Sequence, residues 1–219
     1  MTWTAAGSFL FVDTASLSMN NQNIGDLVLL EILQYSNRTT TVTGITGGGC
    51  TWTEIATYVG VNFTYFVSVW AGKVTATGTQ TATPTWSSTL PGFEVNGHEF
   101  ISSVGSWAVD VVGEIDTSSG TANMASLTPA TNGELYFGFS GNSATATAGS
   151  TPGYVYNTNG EGDATCYNLS CPAGVATFPV WGNAGQEIGI MLLMAETGGA
   201  PAVGHSLVRS QAVKRSYFY

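Results

Sequence analysis

Asp26-Leu-Val-Leu-Leu-Glu-Ile-Leu33 and Glu187-Ile-Gly-Ile-Met-Leu-Leu-Met194 are the two stretches whose reading decides the fold. Each is a short apolar run, the signature of a buried strand, and no segment of the chain keeps apolar residues at helical spacing for three turns. Outward from the first run, the Asn20-Asn-Gln-Asn-Ile-Gly25 loop precedes it, and Gly47-Gly48-Gly49 separates expected strands at 39–45 and 52–59. Further runs at 65–74, 79–86 and 134–139, and a long one at 98–112 expected to bend at Gly105, are closed by Gly, Asn, Ser or Pro. The polar, Gly-rich stretch before residue 187 holds Tyr154-Val-Tyr156 and a run at 174–180, with 142–153 read as an exposed loop. Strand runs at roughly 8–15-residue intervals predict an all-β protein, an antiparallel two-sheet β-sandwich of jelly-roll-like arrangement.

Composition narrows the function classes. Of 219 residues only 9% are charged, 43% are hydrophobic and 28 are Gly. Disorder needs low hydrophobicity and high charge, and the chain has neither. Nucleic acid is excluded as a main partner because only Arg38 and Lys73 precede residue 209. No apolar run approaches the roughly 18 residues of a membrane-spanning helix, so no membrane insertion is expected. All 14 acids lie between Asp13 and Glu196, whereas Arg209, Lys214 and Arg215 fall in the last eleven residues. Residues 1–200 therefore carry 2 − 14 = −12, and residues 201–219 carry +3. This divides the chain into a sandwich domain over 1–197, with 1–24 as an N-terminal strand or arm, and an extended C-terminal arm over 198–219. Cys50, Cys166 and Cys171 are too few for a disulfide framework, and Met1–Gly7 lacks the pattern of a secretory leader. Free thiols and synthesis in a reducing cytoplasm are expected, although Cys166 and Cys171 are close enough in sequence to pair.

The ordered series of strand patterns resembles the β-sandwich virion proteins of tailed bacteriophages, often labelled minor tail proteins. The matching features are Gly25-Asp26-Leu-Val-Leu-Leu, Val42-Thr-Gly-Ile-Thr with its Gly-rich turn, and Thr51-Trp-Thr-Glu-Ile-Ala. Val67-Ser-Val-Trp-Ala-Gly-Lys-Val, Val104-Gly-Ser-Trp-Ala-Val, Thr128-Pro-Ala-Thr-Asn-Gly-Glu-Leu135 and the last apolar strand follow in order. The resemblance covers about residues 20–196 and implies a structural or adhesive role in a virion, with synthesis in the host cytoplasm and other virion proteins as partners. It carries no shared catalytic residues and implies no cofactor. Cys50 stands where a polar turn residue is expected, and the basic arm is not part of the pattern.

Several constellations bear chemistry. Asp110, Glu114 and Asp116 could supply the two carboxyls that glycoside hydrolysis needs across a sugar cleft, against the plainer expectation of a solvated strand end. Asn157-Thr-Asn-Gly-Glu-Gly-Asp163 has the alternating oxygens of a calcium loop but lacks the leading Asp and carries Asn168 at the twelfth position, so a polar turn is expected. Thr79, Thr81, Thr83 and Thr85 fall on one strand face, where Thr is favoured and where hydroxyls could meet a sugar. Among the tryptophans, Trp70 and Trp107 read as core, whereas Trp86 and Trp181 are surface candidates for stacking on a host glycan. His98 and His205 with the scattered Cys have no zinc spacing. In the arm, Arg209, Lys214 and Arg215 suit an acidic neighbouring subunit, with Tyr217, Phe218 and Tyr219 as anchors in an apolar pocket. That pattern favours a homo-oligomeric contact over the alternative, in which the arm folds back on its own sandwich as an extra edge strand.

Overall fold

A computed structural model of the chain describes residues 2–9, 16–35, 39–62, 65–89, 92–118, 121–143, 145–159, 162–184 and 187–197. The described residues form strands and no helix. The front sheet has the order β1 (Trp3–Phe9), β8 (Phe93–Ser102), β3 (Leu27–Gln34), β6 (Phe66–Val74), β5 (Cys50–Val59). The back sheet has the order β12 (Val155–Thr158), β13 (Asp163–Cys171), β11 (Glu134–Asn142), β15 (Glu187–Glu196), β9 (Trp107–Thr117). A three-stranded sheet, β2 (Leu17–Asn21), β7 (Gly78–Trp86), β4 (Val42–Gly47), covers the outside of the front sheet, and β10 (Thr121–Asn123) pairs with β14 (Val180–Ala184). Every pairing is antiparallel. The all-β antiparallel class expected from the sequence is observed, with two five-stranded sheets facing each other as in a sandwich and two smaller sheets beyond the two that were expected.

The two deciding runs owe their unbroken apolar character to burial on both faces. Leu27, Leu29 and Leu33 of β3 point into the core between the main sheets, against Phe137, Phe139, Ile190 and Leu192 of β11 and β15. Val28, Leu30 and Ile32 point the other way, onto Leu17, Met19, Val42, Ile45 and Ala82 of the three-stranded sheet. On the outside of the back sheet, Tyr136, Cys166, Met191 and Leu193 lie under Met124, Leu127 and Ala146. The molecule therefore has three apolar layers, and each fully buried Leu, Ile or Phe contributes about 1.5–3 kcal/mol.

Two elements differ from the sequence reading. The 98–112 run is not one bent strand: β8 ends at Ser102, a turn carries Gly105 at φ +66°, and β9 begins at Trp107 in the other sheet. A left-handed residue in a tight turn is where Gly is cheapest, so the expected bend is a change of sheet. Strand β13 lies in the stretch read as polar and Gly-rich. Its inner residues Thr165 and Tyr167 alternate with buried Ala164 and Cys166, a pattern that only a partner on each face makes legible. Residues 1–24 contribute two strands, and Glu196 ties the first to the last, accepting from Thr2 N–H at 2.8 Å and Ser102 Oγ at 2.7 Å. All three cysteines are free, Cys166 and Cys171 being buried. The C-terminal arm, with Arg209, Lys214, Arg215, Tyr217, Phe218 and Tyr219, lies outside the described residues.

Candidate assembly surface

Strands β5 and β9 end the front and back sheets on the same side of the sandwich. Among the described residues β9 pairs with β15 alone, leaving the other side of an 11-residue strand without a neighbouring strand. Such an edge is a template for further chain. The register Leu192↔Val112, Ile190↔Glu114 and Ile188↔Asp116 sets Val112, Glu114 and Asp116 toward the front sheet, and Gly113 outward. Over that outward face runs the 124–129 segment, held by reciprocal Leu127 and Thr177 backbone bonds of 3.0 and 2.7 Å. A Cβ at Gly113 would stand 2.7 Å from Leu127 Cδ2 and 2.9 Å from Ala125 Cβ, so only Gly lets the segment lie this close. Between β9 and this segment lies a groove of about 300 Å³ walled by Val111, Gly113, Ala125 and Leu127.

The three carboxylates singled out on β9 have separate situations. Asp116 Oδ2 accepts from Tyr58 OH at 3.3 Å, from Val61 N–H and from Asn62 N–H at 3.0 Å, while its backbone carbonyl accepts from Asn62 Nδ2 at 3.2 Å. It pins the β5–β6 connection to the end of β9. Burial, then the Asp116 and Glu114 charges, raise the Tyr58 phenol to about 12. Asp110 sits at the register shift of β9 and accepts from Ala130 N–H at 3.0 Å. Burial first, and after it the Asp110 carboxyl, raise the buried Glu134 to about 7 against the lowering bond from Thr131 N–H. Asp110 and Asp116 thus hold loops, and Glu114, on the face toward the front sheet near Tyr58, is exposed.

The remaining candidates are dispersed. Thr79, Thr81, Thr83 and Thr85 are all exposed on one face of β7, and with Ser18, Asn20 and Thr46 on the flanking strands they make an uncharged hydroxyl and amide surface. Trp86, at the end of that strand, is half-buried with its ring 4.7 Å from Phe93. Trp181 belongs to β14, and its side chain lies outside the described residues. Trp70 is buried and Trp107 packs at the margin of the central core, as read from the sequence. In the 157–163 loop, Asn159 Oδ1 accepts from Gly162 and Asp163 N–H, each at 2.9 Å, and Asp163 is buried; Gly160 and Glu161 lie outside the described residues. Asn159's side-chain oxygen thus closes a turn. No three His, Cys, Asp or Glu side chains among the described residues form a metal-ligand group. His98 is buried, lowered to about 4 by desolvation, and bonds Thr165 Oγ1 at 2.9 Å through Nε2.

Sequence reasoning passed over a set of buried carboxyls. Glu31 is fully buried between Leu29 and Leu33, neither of its oxygens has a hydrogen-bond partner among the described residues, and desolvation raises its pKa well above 4.5. Its cross-strand neighbour Asn96, also buried, likewise has no side-chain partner there. Glu99 is held at about 7 by burial and then by Asp26, against Gln22 N–H, which donates at 2.8 Å. Desolvation also holds Glu187 at about 7, although Ser140 Oγ donates to it at 2.5 Å. A glutamate inside an apolar run, as in Leu-Leu-Glu31-Ile-Leu, was the available signal. No protein-family model, curated protein or solved structure matches the chain.

Proposed function

We propose that the chain is a non-enzymatic structural protein of a tailed-bacteriophage particle, exposed on the tail or capsid surface and held by contacts with other virion proteins or further copies of itself. The observation that carries this reading is the division of charge, −12 over residues 1–200 and +3 over residues 201–219, in a chain where no strand among the described residues lies on one side of β9. Opposite charge steers one surface to another, and an open edge offers backbone groups to added chain. The jelly-roll-like arrangement and the extended arm, with Arg209, Lys214 and Arg215 beside Tyr217, Phe218 and Tyr219, belong to the same reading. Truncation after Gly199 is expected to leave the sandwich folded by circular dichroism and to abolish incorporation into particles. Undiminished incorporation would sink the proposal.

A second reading, a carbohydrate- or receptor-binding module of a phage tail, is supported by the exposed Thr face of the three-stranded sheet. Binding on a glycan array that disappears in Trp86→Ala or Trp181→Ala would favour it, and a blank array would count against it. Glycan cleavage remains the third reading; it requires reducing-end release that is lost in Glu114→Gln.

A further inference from the structure

On the outer face of the back sheet a second groove, of about 430 Å³, opens between the 151–154 turn and the 176–180 segment. That volume falls within the roughly 300–1,000 Å³ of small-molecule sites. Its walls are preformed. Tyr154 N–H bonds Thr151 O at 3.3 Å and closes the turn, in which Gly153 takes φ +85°. Val180 N–H donates to Thr151 Oγ1 at 3.0 Å, and the Tyr154 and Thr177 hydroxyls are hydrogen-bonded, so the two walls are tied at two points. Tyr154 also stands edge-on against the buried Tyr136, with ring centroids 5.4 Å apart. Exposed apolar groups line the mouth: Pro152 on one wall, and Phe178 and Val180 on the other, 45% and 40% exposed. Among the described residues no charged side chain lines it.

Polar groups in this groove lack a partner among the described residues. Asn168 lies on the same face of β13 as Ala164 and Cys166, which pack under the outer layer. Its Oδ1 accepts from Ser170 N–H at 3.0 Å, which leaves Nδ2 as a donor with no bond there. That nitrogen reaches the turn, since a Cβ at Gly153 would stand 3.1 Å from it. The backbone of Phe178 supplies a further donor and an acceptor. Thr177 exchanges both its backbone bonds with Leu127, so the N–H and C=O of Phe178 face the opposite side, as does the Val180 N–H that meets Thr151. Neither makes a hydrogen bond among the described residues. Two donors and an acceptor beside an apolar wall suit a ligand with an apolar face and groups that both donate and accept. A hydroxyl does both, and a pyranose ring presents C–H groups that pack on an aromatic side chain. The −12 carried by residues 1–200 disfavours an anion. An extended peptide would have to continue past Val180, where Thr151 Oγ1 already holds the N–H. We infer that this groove binds a neutral saccharide unit, its C–H face on Phe178 and Pro152 and its hydroxyls on Asn168 Nδ2 and the Phe178 backbone. The inference rests on the carbohydrate-binding reading, and it places the sugar on the back sheet, away from the Thr face and Trp86. Because the wall hydroxyls already satisfy one another, binding has little of the protein to order.

Chemical-shift titration of the nitrogen-15-labelled full chain with glucose, galactose, N-acetylglucosamine and cellobiose tests this. At least one of these sugars is expected to shift the Asn168 side-chain amide and the Phe178 N–H saturably. Asn168→Ala and Phe178→Ala should each weaken that affinity about tenfold, and Trp86→Ala should leave it unchanged. Phe178 is exposed and Asn168 half-buried, so both variants should keep the parent's melting temperature. Pro152→Arg, which fills the mouth from an exposed position, should abolish the shifts without touching the core. Sugar shifts that survive Asn168→Ala and Phe178→Ala but vanish in Trp86→Ala would overturn the inference and leave the carbohydrate-binding reading standing. Silence from all four sugars would overturn it too, and the glycan array then decides the broader reading separately. Groove shifts caused by an uncharged proline-rich peptide and by none of the sugars would also refute it, assigning the site to a protein partner.

Discussion

Replacing Glu187 by Gln should make the protein more stable in alkali and change little in acid. Glu187 is fully buried at the head of β15, where one oxygen accepts from Ser140 Oγ at 2.5 Å and the other has no partner among the described residues. Gln keeps the shape and the acceptor but cannot ionise. The carboxyl moves from its ordinary 4.5 to about 7 on folding, because burial disfavours the anion. A folded pKa above the unfolded one contributes stability that is fully present below pH 4.5 and is lost as the pH rises through 7. At about 1.4 kcal/mol per pH unit the loss reaches about 3 kcal/mol by pH 8. For a protein of this size about 1 kcal/mol corresponds to roughly 2–4 °C in Tm. The variant should therefore melt roughly 6–12 °C above the parent at pH 8 and within about 2 °C of it at pH 4.5. Urea unfolding followed by tryptophan fluorescence at five pH values between 4.5 and 8.5 reads the difference directly. Parallel profiles, or a variant less stable at pH 8, would refute the assignment of the penalty to an ionising Glu187.

Glu31→Met removes a buried carboxyl whose oxygens have no partner among the described residues and should raise stability at pH 7 by about 1–3 kcal/mol, read from the urea midpoint; a loss would reveal an interaction that the burial argument omits. Asp116→Ala frees Tyr58, Val61 and Asn62 and should cost about 2–3 kcal/mol, with the Tyr58 phenol dropping from about 12 toward 10 in an ultraviolet titration; an unchanged phenol would contradict the cause given. Gly113→Ala drives a Cβ to 2.7 Å from Leu127 and should cost about 1–3 kcal/mol while loosening the 124–129 segment in amide exchange; unaltered protection would show that the segment moves aside freely.

The class of fold and most of the strands are legible in the order of residues alone. Runs such as 26–33 and 187–194 are apolar without helical period, and the turn residues that close them are local chemistry. The charge division is legible there as well, because charge is a property of composition. Tertiary structure decided what depends on partners distant in sequence. That 98–112 divides between two sheets depends on where β8 and β9 find neighbours, namely β3 and β15. That β13 is a strand depends on β11 and β12 beside it, since its own residues are a mixture of small, polar and aromatic. Asp110, Glu114 and Asp116 read alike in sequence. Only the 60–62 connection and Ala130, brought in from other elements, mark Asp116 and Asp110 as loop anchors and set them apart from the exposed Glu114. Glu31 and Glu187 are likewise ordinary acids until apolar layers close over both faces of their strands and remove the water that would have kept them charged.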